Sequence, residues 1–273
     1  MIEHTNNTES SFEERKQQYF TKLGLQYRRA LQLHKPTLWG EKNTMDDWRN
    51  VSHHCLVVAA RCKVLAEKLH MDSQIIDHLV EAAIVHDAHK KAEIELVKQA
   101  NETGKKLWAV FEQSGEESAK ILADNNINPV TQSIAPFSGH GSLKRIQEIL
   151  KKETLTTTEI AQLIMYYTDA ISQNDAWCVD INNPNTLETQ SIEANVLDYR
   201  LATHIDAPKY SRLHDEGLEH IQGKTFDVMR EVGHSIEQKL SGIFQERTNK
   251  QIISTDWPSH IDQWITEAIT QEN

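Results

Sequence analysis

His86 and Asp87 follow Ala82-Ala83-Ile84-Val85, and each continues an apolar stripe at helical spacing. Ile75, Leu79 and Ala82 lead to His86, while Ile76, Val80 and Ala83 lead to Asp87. A carboxylate in such a place is costly unless it is paired, hydrogen-bonded or bound to a metal, so its position asks for a partner. A second carboxylate, Asp169, lies inside Ile164-Met165-Tyr166-Tyr167-Thr168-Asp169-Ala170-Ile171, again on an apolar helix. A third segment offers histidines. His54 opens the stripe Val58, Cys62, Leu65 and Leu69, and its neighbour His53 faces Val57, Ala60 and Val64, so periodicity does not choose between them.

Taken singly, each group also reads as a satisfied structural residue, an Asp hydrogen-bonded at a helix end or a His packed in a core. Together, two imidazoles and two carboxylates from three buried helices make a mixed N/O set suited to a divalent ion such as Mn, Fe, Co, Ni, Zn or Mg. A His-Asp dipeptide is weak evidence by itself, since a chain of this composition holds roughly one by chance. His214-Asp215 is a second such pair, in the polar stretch Arg212-Leu213-His214-Asp215-Glu216-Gly217, and it reads as solvated surface. Gly139-His140-Gly141-Ser142 precedes an expected helix whose first turn carries Lys144 and Arg145, a setting that suits an anion. There His140 could contact a substrate, ligate a second metal or cap a turn.

The elements that must position these groups read as helices. Apolar residues fall at helical spacing from Ser11 to Leu33, until Lys35-Pro36 breaks the pattern, and a polar loop with Trp39-Gly40 and Asp46-Asp47 follows. Helices are expected near Val51 to Leu69, from the Met71-Asp72-Ser73 cap to the His-Asp pair, and near Ala92 to Gln99, Glu116 to Ala123 and Leu143 to Lys152. Thr156 and Glu159 form a capping-box signature ahead of the Asp169 helix. Asn174 to Leu187 reads as a loop around Asn182-Asn183-Pro184-Asn185. Phe226, Met229, Val232, Ile236, Leu240 and Phe244 then mark a long amphipathic helix, and Pro258 introduces a last one. No alternating run argues for a strand and no repeat is detected, so the expected class is all-α. The expected organisation is an N-terminal helix and loop (1–44), a metal-binding helical core (45–190) and a C-terminal helical extension packed on it (191–273).

Bulk properties narrow the partners. In 273 residues, 38% are apolar and 25% charged, which fits a chain that folds on its own. The formal charge of −11 disfavours general nucleic-acid binding. The polar start from Met1 to Arg15 and the lack of a long apolar run imply a cytoplasmic protein with no membrane partner. Cys55, Cys62 and Cys178 form no paired framework and read as reduced thiols, with Cys55 and Cys62 in the core.

His54, His86-Asp87 and Asp169 resemble the metal-ligand pattern of the HD superfamily of metal-dependent phosphohydrolases: a His on one helix, a His-Asp pair on a later one, and a distant Asp. The wording around them fits too, with Val58-Ala59 following His54 and Ala82-Ala83-Ile84-Val85 leading into the pair, and this selects His54 over His53. Asn50-Val51-Ser52-His53-His54 is similar to the start of the metal helix in bacterial deoxynucleotide 5′-nucleotidases of the superfamily. Those enzymes carry a water-activating acid three positions after the pair. Here that position is Lys90, as in members with His-Asp-x-Gly-Lys, and His89 replaces the Gly. The resemblance covers roughly Arg49 to Ile171.

The resemblance implies an HD-like helical bundle that hydrolyses a nucleotide or related small phosphate ester with a metal-activated water. Lys90 would be the catalytic cation on the phosphate, and His89 and His140 would be candidates for substrate or a second metal. Two other functions share the ligand set. The oxygenase branch needs further histidines to hold two irons, and only His89 and His140 lie between Asp87 and Asp169. A non-catalytic nucleotide sensor would keep the pocket without turnover.

Overall fold

The computed structural model describes residues 11–37, 49–172, 178–180, 183–188, 208–219 and 221–272. The polar loop with Trp39-Gly40 and Asp46-Asp47 lies outside them. The class is all-α, with one short pair of strands.

The first amphipathic stretch breaks in two. Helix α1, Phe12–Gln26, starts on a capping box of Ser11 and Glu14 and ends at Tyr27. Tyr27 leaves helical geometry and its hydroxyl donates to Asp77 at 2.9 Å, after which α2 (Arg28–Leu31) and a 3-10 turn (Gln32–Thr37) carry the chain on. Helix α3, Arg49–Lys68, is the centre of the molecule, with Cys55 through Ala60, Cys62 and Leu65 excluded from solvent. Helix α4, Ser73–Val85, starts where Asp72 accepts from the Gln74 amide at 2.8 Å, as the sequence predicts. It packs along α3.

Helix α5, Lys90–Thr103, ends at Gly104, whose φ of 71° favours a residue without Cβ. Helix α6, Leu107–Asp124, begins well before the expected Glu116, because Leu107, Val110 and Phe111 pack with Val97, Ala100 and Leu213 in a satellite core. Short α7 (Pro129–Ile134) and α8 (Leu143–Leu150) lead to α9, Thr157–Ala170, whose capping box of Thr156 and Glu159 forms as expected. Helix α9 packs on both α3 and α4.

The segment expected to be a loop from Asn174 to Leu187 instead holds two antiparallel strands, β1 (Cys178–Asp180) and β2 (Asn183–Glu188). β1 is only three residues long and β2 opens on the turn residues Asn183-Pro184-Asn185, so neither strand has an alternation to read from sequence. Helices α10 (Pro208–Glu216), α11 (Thr225–Thr248) and α12 (Trp257–Thr270) complete the chain. The main apolar core runs from Tyr19 on α1 to Ile269 on α12, and so includes the last helices.

Two buried charges tie α3 and α9 to the C-terminal helices. Arg61 is 0% exposed; its guanidinium donates to Ser172 Oγ at 2.5 Å and lies 3.8 Å from Asp262. On α11, Glu237 interrupts the apolar stripe, but its carboxylate accepts from the Tyr167 hydroxyl at 2.8 Å and lies 2.9 Å from His234 Nδ1. Both charges are thus paired or hydrogen-bonded, which is the condition for placing them inside.

Candidate metal centre

The register of α3 decides between the adjacent histidines. His53 is 0% exposed and packed inside, whereas the His54 side chain is 19% exposed and opens on a cavity. Helix α4 stops at Val85, so His86 and Asp87 stand in the turn between α4 and α5 rather than on a helical stripe. Asp169 sits in the last turn of α9, one residue before its end, facing the same space.

These three segments bring their donors together. His54 Nε2 lies 3.0 Å from Asp169 Oδ1, and His86 Nε2 lies 3.5 Å from the same oxygen and 3.8 Å from Asp87 Oδ2. His54, His86 and Asp87 each offer a ligand atom within 4.8 Å of the others. Donors that share one ion at about 2.1 Å stand about 3.0–3.5 Å apart at octahedral or tetrahedral angles; the two contacts to Asp169 fall in that range, and the His86–Asp87 pair is wider.

The orientation of His86 is the most informative feature. Its Nδ1–H donates to the Ala83 carbonyl at 2.7 Å, which leaves Nε2 as the nitrogen turned toward the two carboxylates. A backbone partner on one ring nitrogen is the usual way a ligating imidazole is held. Nε2 is buried and makes no well-formed hydrogen bond, the Asp169 Oδ1 it faces standing 3.5 Å away. An orphaned lone pair beside two anions is unfavourable until a cation, a proton or a metal, occupies it.

The electrostatics agree. Burial alone would push the His86 pKa down, but Cys55, Asp87 and Asp169 outweigh it and hold it well above the usual value. Burial would likewise raise both carboxylates. Instead Lys90, His86 and His54 bring Asp87 down to about 2, and the His54 hydrogen bond together with the nearby His86 imidazole holds Asp169 far below the usual carboxylate range. The cluster keeps its acids ionised and demands positive charge between them.

Lys90 opens α5 and is not an isolated cation. Its Nζ lies 3.3 Å from Asp87 Oδ1 and 3.4 Å from Glu93 Oε1, and burial, which would lower its pKa, is overcome by Asp87, Glu93, Tyr210 and Asp169. Glu93 also lines the cavity and escaped the sequence reading, although its spacing to Lys90 is that of a helical ion pair. Beneath the centre, fully buried His34 donates Nε2–H to the Ile84 carbonyl at 2.6 Å, and burial pulls its pKa down to about 4.

The other candidates are placed differently. His89 Nε2 lies 2.9 Å from Glu117 on α6. His140 is set among rings, edge-on to Phe111 at 4.6 Å and to Tyr210 at 6.1 Å between centroids. Lys144 and Arg145 do line the cavity, with Arg145 lying over the Phe137 ring. In the second His-Asp pair, Asp215 is exposed, but His214 is half-buried, accepting from the Phe226 amide at 3.3 Å and packing on its ring. His214 is therefore a packed helix-end residue rather than a fully solvated one. The cavity encloses about 980 Å³ among the described residues, and His54, His86 and Asp87, the three side chains whose donors are grouped for a metal, occupy part of its wall together with Asp169. No helix of the described residues is long and apolar enough to cross a membrane.

No family model matches the chain, and no curated protein or solved structure matches it, so function has to be argued from this geometry.

Proposed function

We propose that this chain is a metal-dependent phosphohydrolase acting on a nucleotide or related small phosphate ester. The observation that carries the reading is His86 Nε2, buried, without a well-formed hydrogen bond, and aimed at Asp87 and Asp169 by the Ala83 carbonyl. His54, His86, Asp87 and Asp169 would hold the ion. A divalent ion bound there supplies Lewis acidity toward a phosphoryl oxygen and a water of lowered pKa.

The surrounding residues suit an anionic substrate. Lys90 places a positive charge against Asp87 on the cavity wall, where it can offset charge gathering on phosphoryl oxygens. Lys144 and Arg145 add positive charge elsewhere on that wall. The engagement of His89 with Glu117 and of His140 with Phe111 favours hydrolysis over a two-iron oxidation, which would need such histidines as ligands.

The test is a screen of the full chain, chelated and then loaded with Mn²⁺, Co²⁺, Ni²⁺, Zn²⁺ or Mg²⁺, against nucleoside mono-, di- and triphosphates and cyclic dinucleotides. Phosphate release that needs the metal and is lost in Asp87→Ala supports the proposal. Tight nucleotide binding with no turnover under any metal would replace it with the sensor reading.

A further inference from the structure

The cavity is much larger than a phosphoryl group needs. Its volume of about 980 Å³ lies at the upper end of sites that enclose a whole small organic ligand. The charged groups of the metal centre account for one part of the lining. Another part is made of rings, and it comes from different elements: Trp108 and Phe111 on α6, His140 in the turn before α8, Tyr210 on α10, and Phe226 with Met229 on α11.

These rings form a connected ladder. Phe111 meets His140 at 4.6 Å, His140 meets Tyr210 at 6.1 Å, and Tyr210 meets Phe226 at 6.0 Å, each edge to face. Such contacts fix ring positions and so present a preformed surface. Phe226 and Met229 are buried, which anchors one end in the main core. Trp108, His140 and Tyr210 are only partly covered although they line a concave space. Apolar ring surface left open to water costs about 25 cal/mol per Å², and a flat ligand would recover it. The ladder reaches the chemistry, since Tyr210 is close enough to Lys90 for the two to interact electrostatically.

We propose that this ladder is a subsite for a planar ring system, so that the substrate is a phosphate ester whose organic part is aromatic or heteroaromatic, and that the C-terminal helices α10 and α11 are part of the binding site. The inference rests on the phosphohydrolase reading for its ester, but not for its ring. The residues after 190 then do more than pack on the core: Tyr210, Phe226 and Met229 complete the cavity wall.

The experiment compares four esters on the metal-loaded full chain, adenosine monophosphate, phenyl phosphate, octyl phosphate and glycerol phosphate, and measures adenosine and phenol binding to the metal-free chain by calorimetry. The ring-bearing esters should exceed glycerol phosphate in kcat/KM by about tenfold, with the difference in KM, as expected for stacking on fixed rings. Tyr210→Ala and Trp108→Ala should each collapse that ratio several-fold while metal content stays the same, and Tyr210→Phe should keep it. Trp108 lies on a different helix from Tyr210, so it carries the test if Tyr210→Ala fails to fold. A preference for adenosine monophosphate over phenyl phosphate would identify the ring as a nucleobase, and equal rates would identify a simple aryl group. A ratio near one in the unmodified chain, a ratio indifferent to both alanine variants, or a preference for octyl phosphate would overturn the proposal while leaving phosphohydrolysis standing. Tyr210-dependent adenosine binding with no ester turned over would keep the subsite and sink the hydrolase.

Discussion

Lys90 holds the charge balance of the candidate centre, and replacing it by methionine tests that role. Its ammonium faces Asp87 at 3.3 Å and Glu93 at 3.4 Å, and its side chain is 24% exposed. Each contact at that distance is worth about 5 kcal/mol before desolvation, taking an effective dielectric of about 20. Most of this is returned as the cost of drying a lysine and two carboxylates. The net loss falls between about 0–1 kcal/mol for an exposed pair and about 3–5 kcal/mol for a buried pair broken on one side. Lys90→Met should therefore destabilise the metal-free protein by about 2 kcal/mol, or about 3–4 °C in Tm for a chain of this size. A divalent ion between His54, His86, Asp87 and Asp169 would restore positive charge beside Asp87. Mn²⁺ should thus close most of the Tm gap between variant and parent, with metal content unchanged, while turnover falls about tenfold, or about 1.4 kcal/mol in barrier. Thermal unfolding with and without Mn²⁺, beside phosphate release, checks both halves. A gap that Mn²⁺ leaves untouched refutes the charge argument, and unchanged turnover returns Lys90 to a purely structural ion pair.

Four further outcomes follow from the same geometry. Asp87→Ala should abolish metal binding in a protein that remains helical by circular dichroism, while Asp215→Ala, exposed and paired with Lys224, changes neither; equal effects would mean the wrong pair was chosen. His54→Ala should empty the metal site, whereas His53→Ala, fully buried, should cost stability and keep the metal; the reverse pattern, read by bound metal, would put the α3 register out by one residue. Arg61→Ala should cost about 3–5 kcal/mol in urea unfolding, because it opens a gap at a fully buried position and removes the cation that faces Ser172 and Asp262; a loss under about 1 kcal/mol would show that the pair contributes little. His34 titrates near 6.5 unfolded but at about 4 when folded, so the unfolded chain binds more protons between those values, and stability present above pH 6.5 should fall by about 3 kcal/mol as pH drops toward 4. His34→Gln, which keeps a donor for the Ile84 carbonyl, should flatten that decline in chelated protein, and an unaltered pH curve would exonerate His34.

Much of the fold was legible because helices announce themselves through spacing and caps. The Thr156 and Glu159 box and the Asp72 cap form where the sequence predicts them. Boundaries were less legible where tertiary packing overrides local signal. Helix α6 extends back to Leu107 because Val110 and Phe111 find Val97 and Leu213 from other segments, and no residue within α6 reports that. The strand at Cys178–Asp180 is too short for alternation to speak, and that at Asn183–Glu188 begins with turn residues. Arg61 and Glu237 interrupt apolar stripes, and the partners that make them tolerable, Ser172, Asp262, Tyr167 and His234, come from elsewhere in the chain.

The candidate site divides along the same line. Its charged half could be read because a carboxylate at the end of an apolar helix violates local expectation, and His86, Asp87 and Asp169 stand out as such violations before any coordinates are known. Its apolar half violates nothing. Trp108, Tyr210 and Phe226 look like ordinary core residues in sequence, and only the packing of α6 against α10, and of α10 against α11, turns them toward the cavity that holds the metal-competent groups. Chemistry that depends on costly residues leaves a mark on the sequence at each position. Recognition that depends on shape is assembled from inexpensive residues on distant helices, so the ring-lined wall had to wait for the fold.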